Sequence, residues 1–387
     1  MNIEFADRAK RLPPYLFAEI ERLIKEKKSQ GVDLISLSIG DPDLPPPQFV
    51  IEALKEEVTD LKNHNYSFSQ GEPDFRRAVS DWYKKRFRVD LGQDQVVALL
   101  GSKEGIANVG RAFVNAGDRV LVPDPAYPVY ANGTTILNEA VPVSIPLLEE
   151  NEFKPDFDVV DAEKVKMMFL NYPNNPTAAT VDKKFLREAV DFAADNNIIL
   201  CYDNAYSEIS FDGYKPPSIL EIDGAMDVAV EFHSCSKTFN MTGDRIAFAV
   251  GNKKLVSGLT KVKSQVDSGP PVYIQKVAAK ALQSYVSDEL PEFLRKNNRI
   301  YAERRDVLID HLCRMGFKCE KPKATFYVWA NCKSNSMEFA TKLLDLGVAV
   351  TPGIGFGMHG ESYVRFSLTQ PKKRIAEACD RMRNLFR

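Results

Sequence analysis

Apolar positions recur at helical spacing near the start of the chain. After Pro13 and Pro14, residues Leu16, Ile20, Leu23 and Ile24 mark one face of a helix over 15–30, and Gly31 stops it. Residues 34–39 form a short apolar run, and Gly40-Asp41-Pro42-Asp43 with Pro45, Pro46 and Pro47 forces a turn after it. From there helical patterns at 47–59, 72–88, 103–115 and 183–196 lie between apolar runs at 96–100, 120–122, 167–170, 198–202 and 228–232. Strands alternating with helices predict an α/β fold on a mostly parallel sheet. Beyond about residue 284 the texture changes to a long charged helix with Arg295, Arg299, Arg304 and Arg305, then strands near 326–329, 348–350 and 363–368. This predicts a smaller α+β domain over 285–387, a large domain over 46–284, and an N-terminal arm over 1–45 that completes the small domain.

A chain of 387 residues exceeds what one core holds, which agrees with two lobes. Its 51 basic and 53 acidic residues are interspersed, with only a short lysine cluster at 25–28. Neither nucleic acid nor an anionic membrane is expected as a partner. The six cysteines, Cys201, Cys235, Cys313, Cys319, Cys332 and Cys379, have neither metal-ligand spacing nor the density of a disulfide scaffold, so a reducing cytoplasm and no metal are expected. No signal-peptide core or membrane-length apolar run is present, which predicts a soluble protein that is not exported.

Ligands of parallel sheets bind beyond the carboxyl ends of the strands, so polar residues directly after the apolar runs are the candidates. Four turns qualify. Gly101-Ser102-Lys103-Glu104 opens a helix, whose free amides and dipole favour a phosphate, although a serine N-cap reads the same way. Residues 171–177, Asn-Tyr-Pro-Asn-Asn-Pro-Thr, form a proline-rich loop. Asp203 and Tyr206 put a carboxylate and a phenol three residues apart, where a lone aspartate is also a common helix cap. The run Ser234-Cys235-Ser236-Lys237, with Arg245 eight positions on, sets an amine beside two hydroxyls and an anion site; a solvated lysine is the plain alternative.

These runs, with Asn175-Pro176-Thr177 and Tyr363-Val364-Arg365 in the same order, resemble the fold-type I aminotransferases across nearly the whole chain. The resemblance implies pyridoxal 5′-phosphate (PLP) as cofactor, an amino acid and a 2-oxo acid as substrates, and a homodimer with shared active sites. Lys237 would hold the cofactor covalently and act as general base and acid. Asp203 would pair with the pyridine nitrogen, Tyr206 and Asn175 would bond the ring oxygen, and Tyr127 would stack on the ring. Ser102, Lys103 through its backbone, Ser234, Ser236 and Arg245 would hold the phosphate, joined by Tyr66 from the neighbouring subunit. Arg365 would grip the substrate α-carboxylate, with Gly40 offering a backbone contact to it.

Within this group the chain resembles the LL-diaminopimelate aminotransferases, which exchange an amine between glutamate/2-oxoglutarate and diaminopimelate/tetrahydrodipicolinate. The stretches that carry it are Phe5-Ala6-Asp7-Arg8, residues 12–17, 101–106 and 211–218, Val266-Asp267-Ser268-Gly269 and residues 351–357. Tyr15, Lys103, Tyr127 and Asn175 then become substrate contacts. The chain departs from the family pattern at Asp244 (usually Trp), Ala178 and Ala247 (usually Gly) and Phe68 (commonly Tyr). Other readings are transfer from aspartate, alanine or a basic amino acid, a PLP-dependent C–S lyase, and a non-catalytic PLP-binding regulator. A dinucleotide site at Gly353-Ile354-Gly355-Phe356-Gly357 lacks the βαβ unit that such a loop requires.

Overall fold

Alternation along the strands sets the architecture. In the computed structural model, which describes residues 1–14 and 16–386, the strands are β1 (Ile35–Ser36), β2 (Val96–Leu99), β3 (Arg119–Asp124), β4 (Val141–Pro146), β5 (Val165–Asn171), β6 (Ile199–Asp203), β7 (Ala229–Ser234), β8 (Ala247–Gly251), β9 (Lys318–Cys319), β10 (Tyr327–Asn331), β11 (Val348–Ala349), β12 (Thr351–Pro352) and β13 (Tyr363–Ser367). Seven of them form one sheet in the order β2-β8-β7-β6-β5-β3-β4. Only β8 runs against the rest.

Both faces of this sheet are covered, so its inner strands are apolar throughout rather than alternating with polar residues. Val96, Ala98, Met168, Leu170, Leu200 and Tyr202 pack on one face with the helices Pro73–Phe87, Lys183–Asp195 and Val272–Gln283. Their neighbours Val97, Leu99, Met167, Phe169 and Cys201 face the other side, with the helices Ser102–Phe113 and Lys253–Lys263. The helix Lys183–Asp195 starts where Asp182 accepts from the Phe185 amide at 2.9 Å, a side-chain N-cap.

A second sheet, β12-β13-β10-β9, packs its apolar residues, Phe366 and Val364 among them, against the helices Glu292–Arg314 and Lys372–Met382. The N-terminal segment joins this part of the molecule: β1 pairs in parallel with β11, and the Ser367 amide donates to the Leu37 carbonyl at 2.7 Å. The glycine-rich run at 353–357 follows β12 rather than opening a βαβ unit. It is braced on the large sheet, with the Met358 and His359 amides donating to Asp124 at the end of β3 (3.2 and 3.0 Å).

Candidate active site

The strands β2, β5, β6 and β7 share one direction, so the four polar turns that follow them emerge on one edge of the sheet. They line a single cavity of about 350 Å³, to which Gly40, Tyr127 and Arg365 also contribute. Ser102, Lys103, Asn175, Asp203, Tyr206, Ser234, Ser236, Lys237 and Arg245 all lie in its wall. Tyr66 does not; its side chain is 92% exposed. Tyr15 lies outside the described residues.

Gly101, not Ser102, occupies the N-cap of the helix Ser102–Phe113, and it makes no side-chain capping bond. The first turn of the helix is thereby left to face the cavity with its amides uncapped. Gly101 has φ of 87°, which favours glycine, and a Cβ there would fall 2.2 Å from Arg245 Nη2 and so displace that guanidinium. Arg245 is held by the carbonyls of Thr242 (2.9 Å) and Leu100 (3.2 Å) rather than by the adjacent Asp244 carboxylate. Burial raises that Asp244 carboxyl above its ordinary value. The Ser234 hydroxyl accepts from the Ser236 amide at 3.3 Å, which positions it beside Lys237.

Asn171, the last residue of β5, ties two exit turns together. Its Nδ2 donates to the Asp203 carbonyl at 2.7 Å and its Oδ1 accepts from the Asn175 amide at 2.8 Å. Asn175 in turn accepts from Arg365 Nη1 at 2.6 Å, while Arg365 Nη2 donates to the Ser38 carbonyl at 2.9 Å. The guanidinium also lies over the rings of Tyr327 and Phe356, at 4.2 and 4.7 Å. A buried arginine is thus fixed in plane and position.

Asp203 ends β6 and caps no helix. Its Oδ2 accepts from the Tyr130 hydroxyl at 2.7 Å; its Oδ1 is buried and, among the described residues, makes no hydrogen bond. Burial pushes the carboxyl up to about 6, against the opposing Tyr130 hydrogen bond, the Ala205 amide and the nearby His233. Lys237 Nζ donates to the Gly40 carbonyl at 2.9 Å. Burial lowers this amine to about 8; Asp41 opposes the shift, and Arg365 and Arg245 add to it. Tyr206 remains a neutral phenol, held well above its ordinary value by burial, and lies 3.1 Å from the Tyr327 hydroxyl. Tyr127 stands edge-on to Tyr130 and within 5.6 Å of Lys103 Nζ.

Several wall residues carry no sequence signal that singles them out: Glu21, Tyr130, Thr242 and Tyr327. Tyr130 was within reach, three residues after Tyr127, but it sits on a π-helical turn (Tyr130–Thr135) that ordinary helical spacing does not anticipate.

The chain matches the family description "Aminotransferase class I and II" over residues 32–382. It is 49% identical over 390 aligned residues to the LL-diaminopimelate aminotransferase of Desulforudis audaxviator, covering 99% of this chain and 98% of that protein. The same identity holds with the LL-diaminopimelate aminotransferase of Aquifex aeolicus, at 99% of both chains. Among solved structures, substrate-bound BacF of Bacillus subtilis superposes with a TM-score of 0.93 at 38% identity, covering 100% of this chain and 98% of that one.

Proposed function

This chain belongs to the class I and II aminotransferases, and from that premise we propose that it uses PLP to move an amino group between LL-diaminopimelate and 2-oxoglutarate. The substrate pair rests on the similarity to the two LL-diaminopimelate aminotransferases. The cofactor rests on the cavity itself. A buried carboxylate oxygen without a hydrogen-bond donor suits a pyridine N–H, a lysine amine lowered to about 8 suits an aldehyde, and an uncapped helix start beside Arg245 suits a phosphate. Of these, the Asp203 oxygen carries the reading. An acid buried at such a cost, with its one vacant position in a ligand cavity, is complete only when something donates to it.

When bound, PLP supplies an electron sink for the pair left on the substrate Cα after proton removal. Ionised Asp203 would hold the ring nitrogen in its protonated form. Lys237 Nζ would supply the amine that holds the aldehyde, and as a free amine it would serve as base and acid toward the substrate Cα proton. Asn175 Oδ1 is taken by Arg365, so its Nδ2 is the group left to donate to the ring oxygen, alongside Tyr206. Arg365 would orient the α-carboxylate through its planar fork, and Tyr127 would stack on the ring. Ser102, the Lys103 amide, Ser234, Ser236 and Arg245 hold the phosphate.

The reading extends to the assembly. An exposed Tyr66 reaches the phosphate site of a second copy, giving a homodimer with shared sites; its exposure, with that of Leu61 and Phe68 nearby, supports this. We take the cofactor lobe as 46–284 and the smaller lobe as 1–45 with 285–387; most buried apolar residues cluster accordingly, while Ala205, Tyr206, Ile209 and Phe211 pack into the core of the smaller lobe and Leu294 into that of the larger. Six free cysteines agree with a cytoplasmic enzyme. No helix among the described residues is long and apolar enough to cross a membrane.

Reconstitution tests the proposal. Protein given PLP is expected to gain visible absorbance, and borohydride to fix the cofactor's mass on the peptide carrying Lys237. The loaded enzyme should then convert LL-diaminopimelate and 2-oxoglutarate faster than aspartate or alanine with the same acceptor. Label on any other lysine would refute the site. Release of pyruvate and ammonia from cysteine-like substrates without an acceptor would move the reaction to the lyase class.

A further inference from the structure

Tyr327 has no role in the mechanism above, yet it touches two groups that do, Tyr206 and Arg365, and packs on the backbone that holds a third, Lys237. Its hydroxyl lies 3.1 Å from that of Tyr206, and the Arg365 guanidinium lies 4.2 Å from its ring centre. A Cβ at Gly40 would fall 1.9 Å from its oxygen, so the backbone that accepts from Lys237 Nζ sits directly on it. Strand pairing explains the arrangement. On the antiparallel pair β10–β13, Tyr327 is opposite Ser367 and Trp329 is opposite Arg365, which makes Tyr327 and Arg365 diagonal neighbours.

Two phenols that share one hydrogen bond have a single donor between them, and its direction decides what reaches the cavity. The guanidinium over the Tyr327 ring draws electron density from it and strengthens its O–H as a donor. We propose that Tyr327 is a positioning residue that donates its hydrogen to Tyr206, leaving the Tyr206 hydrogen directed at the ring oxygen of the cofactor. This rests on the PLP reading above. Hydroxyls in a chain that ends on a charged oxygen strengthen one another. The stronger bond holds negative charge on the ring oxygen and so lowers the proton affinity of the neighbouring Lys237 nitrogen.

The other charged and titratable groups facing this relay are Asp203, Tyr130 and Arg365 around Tyr206, Asp41, Arg245 and Arg365 around Lys237, and Tyr301 beside Tyr327. All of them stay in place in Tyr327→Phe, which removes one oxygen and keeps the ring that packs on Arg365.

Titrating the visible absorbance of the PLP-loaded protein against pH tests the relay. Tyr327→Phe is expected to raise the midpoint by about 0.3–1 pH unit, the range that one hydrogen bond commands. Tyr206→Phe is expected to raise it further, and Tyr327→Phe added to Tyr206→Phe should move it no more. A wild-type midpoint in Tyr327→Phe overturns the proposal, and so does a shift that persists undiminished in the Tyr206→Phe background. Wild-type protein that shows no visible band would overturn the cofactor assignment itself, and the relay with it.

Discussion

Asp203 offers a prediction in which stability and activity move in opposite directions. The folded protein holds the Asp203 proton up to about pH 6, whereas an unburied carboxyl releases it at its ordinary 3.8. Because the folded state binds more protons in that window, stability falls as the pH rises through it, and the full deficit stands above pH 6. At 1.36 kcal/mol per unit, the ionised Asp203 costs the cofactor-free protein about 3 kcal/mol at pH 8 and about half of that at pH 5. Asp203→Asn removes the charge and keeps an oxygen for the Tyr130 hydroxyl. Its new amide hydrogens enter a buried position without a partner, a penalty of about 1–3 kcal/mol that does not depend on pH. The pH dependence is therefore the diagnostic quantity: relative to wild type, the variant should gain about 1.4 kcal/mol between pH 5 and pH 8, or about 2 °C in Tm for a chain of this size. Calorimetry of both cofactor-free proteins at the two pH values measures it. The PLP-loaded variant should lose about 10–100-fold in kcat, the worth of one charge-assisted hydrogen bond to the ring nitrogen. Parallel Tm profiles for the two proteins would refute the claim that Asp203 is an ionised acid buried for the cofactor.

Lys237→Ala should bind PLP without a borohydride-fixable bond and lose all measurable transamination while unfolding like the wild type; retained turnover would remove Lys237 from the chemistry. Arg365→Lys keeps the charge but loses the planar fork, so KM for the amino donor should rise about 10–100-fold, and steady-state kinetics that show KM unchanged would contradict the carboxylate assignment. The rate of PLP capture by the cofactor-free protein should climb with pH and level off above about 8, because only the neutral Lys237 amine attacks. Stopped-flow absorbance that instead keeps rising toward pH 10 would show an amine with its ordinary basicity.

The alternating helices and apolar runs made the large sheet legible, since strands buried on both faces must be apolar along their length. The edge strand β4, with Pro142 and Pro146 and mostly exposed side chains, gives a weak signal because an edge tolerates proline where an inner strand does not. The antiparallel β8 lies between two strands of the opposite direction, a pairing that hydrophobic pattern alone cannot assign. In the site, residues at or just beyond the carboxyl end of a strand of the large sheet, such as Ser102, Asn175, Asp203 and Lys237, were readable because ligands of such sheets bind beyond those ends. Tyr130 and Tyr327 were not. One depends on the pitch of an irregular helical turn and the other on cross-strand register in a different sheet, and neither quantity is written in local spacing.

The parallel pairing of Ile35 and Ser36 with Val348 and Ala349 places a constraint on biosynthesis. A growing chain has synthesised Asp203, Lys237 and Arg245 long before the partner of its thirty-fifth residue exists. The segment bearing Gly40, on which the lysine amine rests, must wait for about three hundred further residues before its strand can form. Shape complementarity around the reactive amine therefore depends on contacts between segments about three hundred residues apart and cannot be complete before residue 348 has been made.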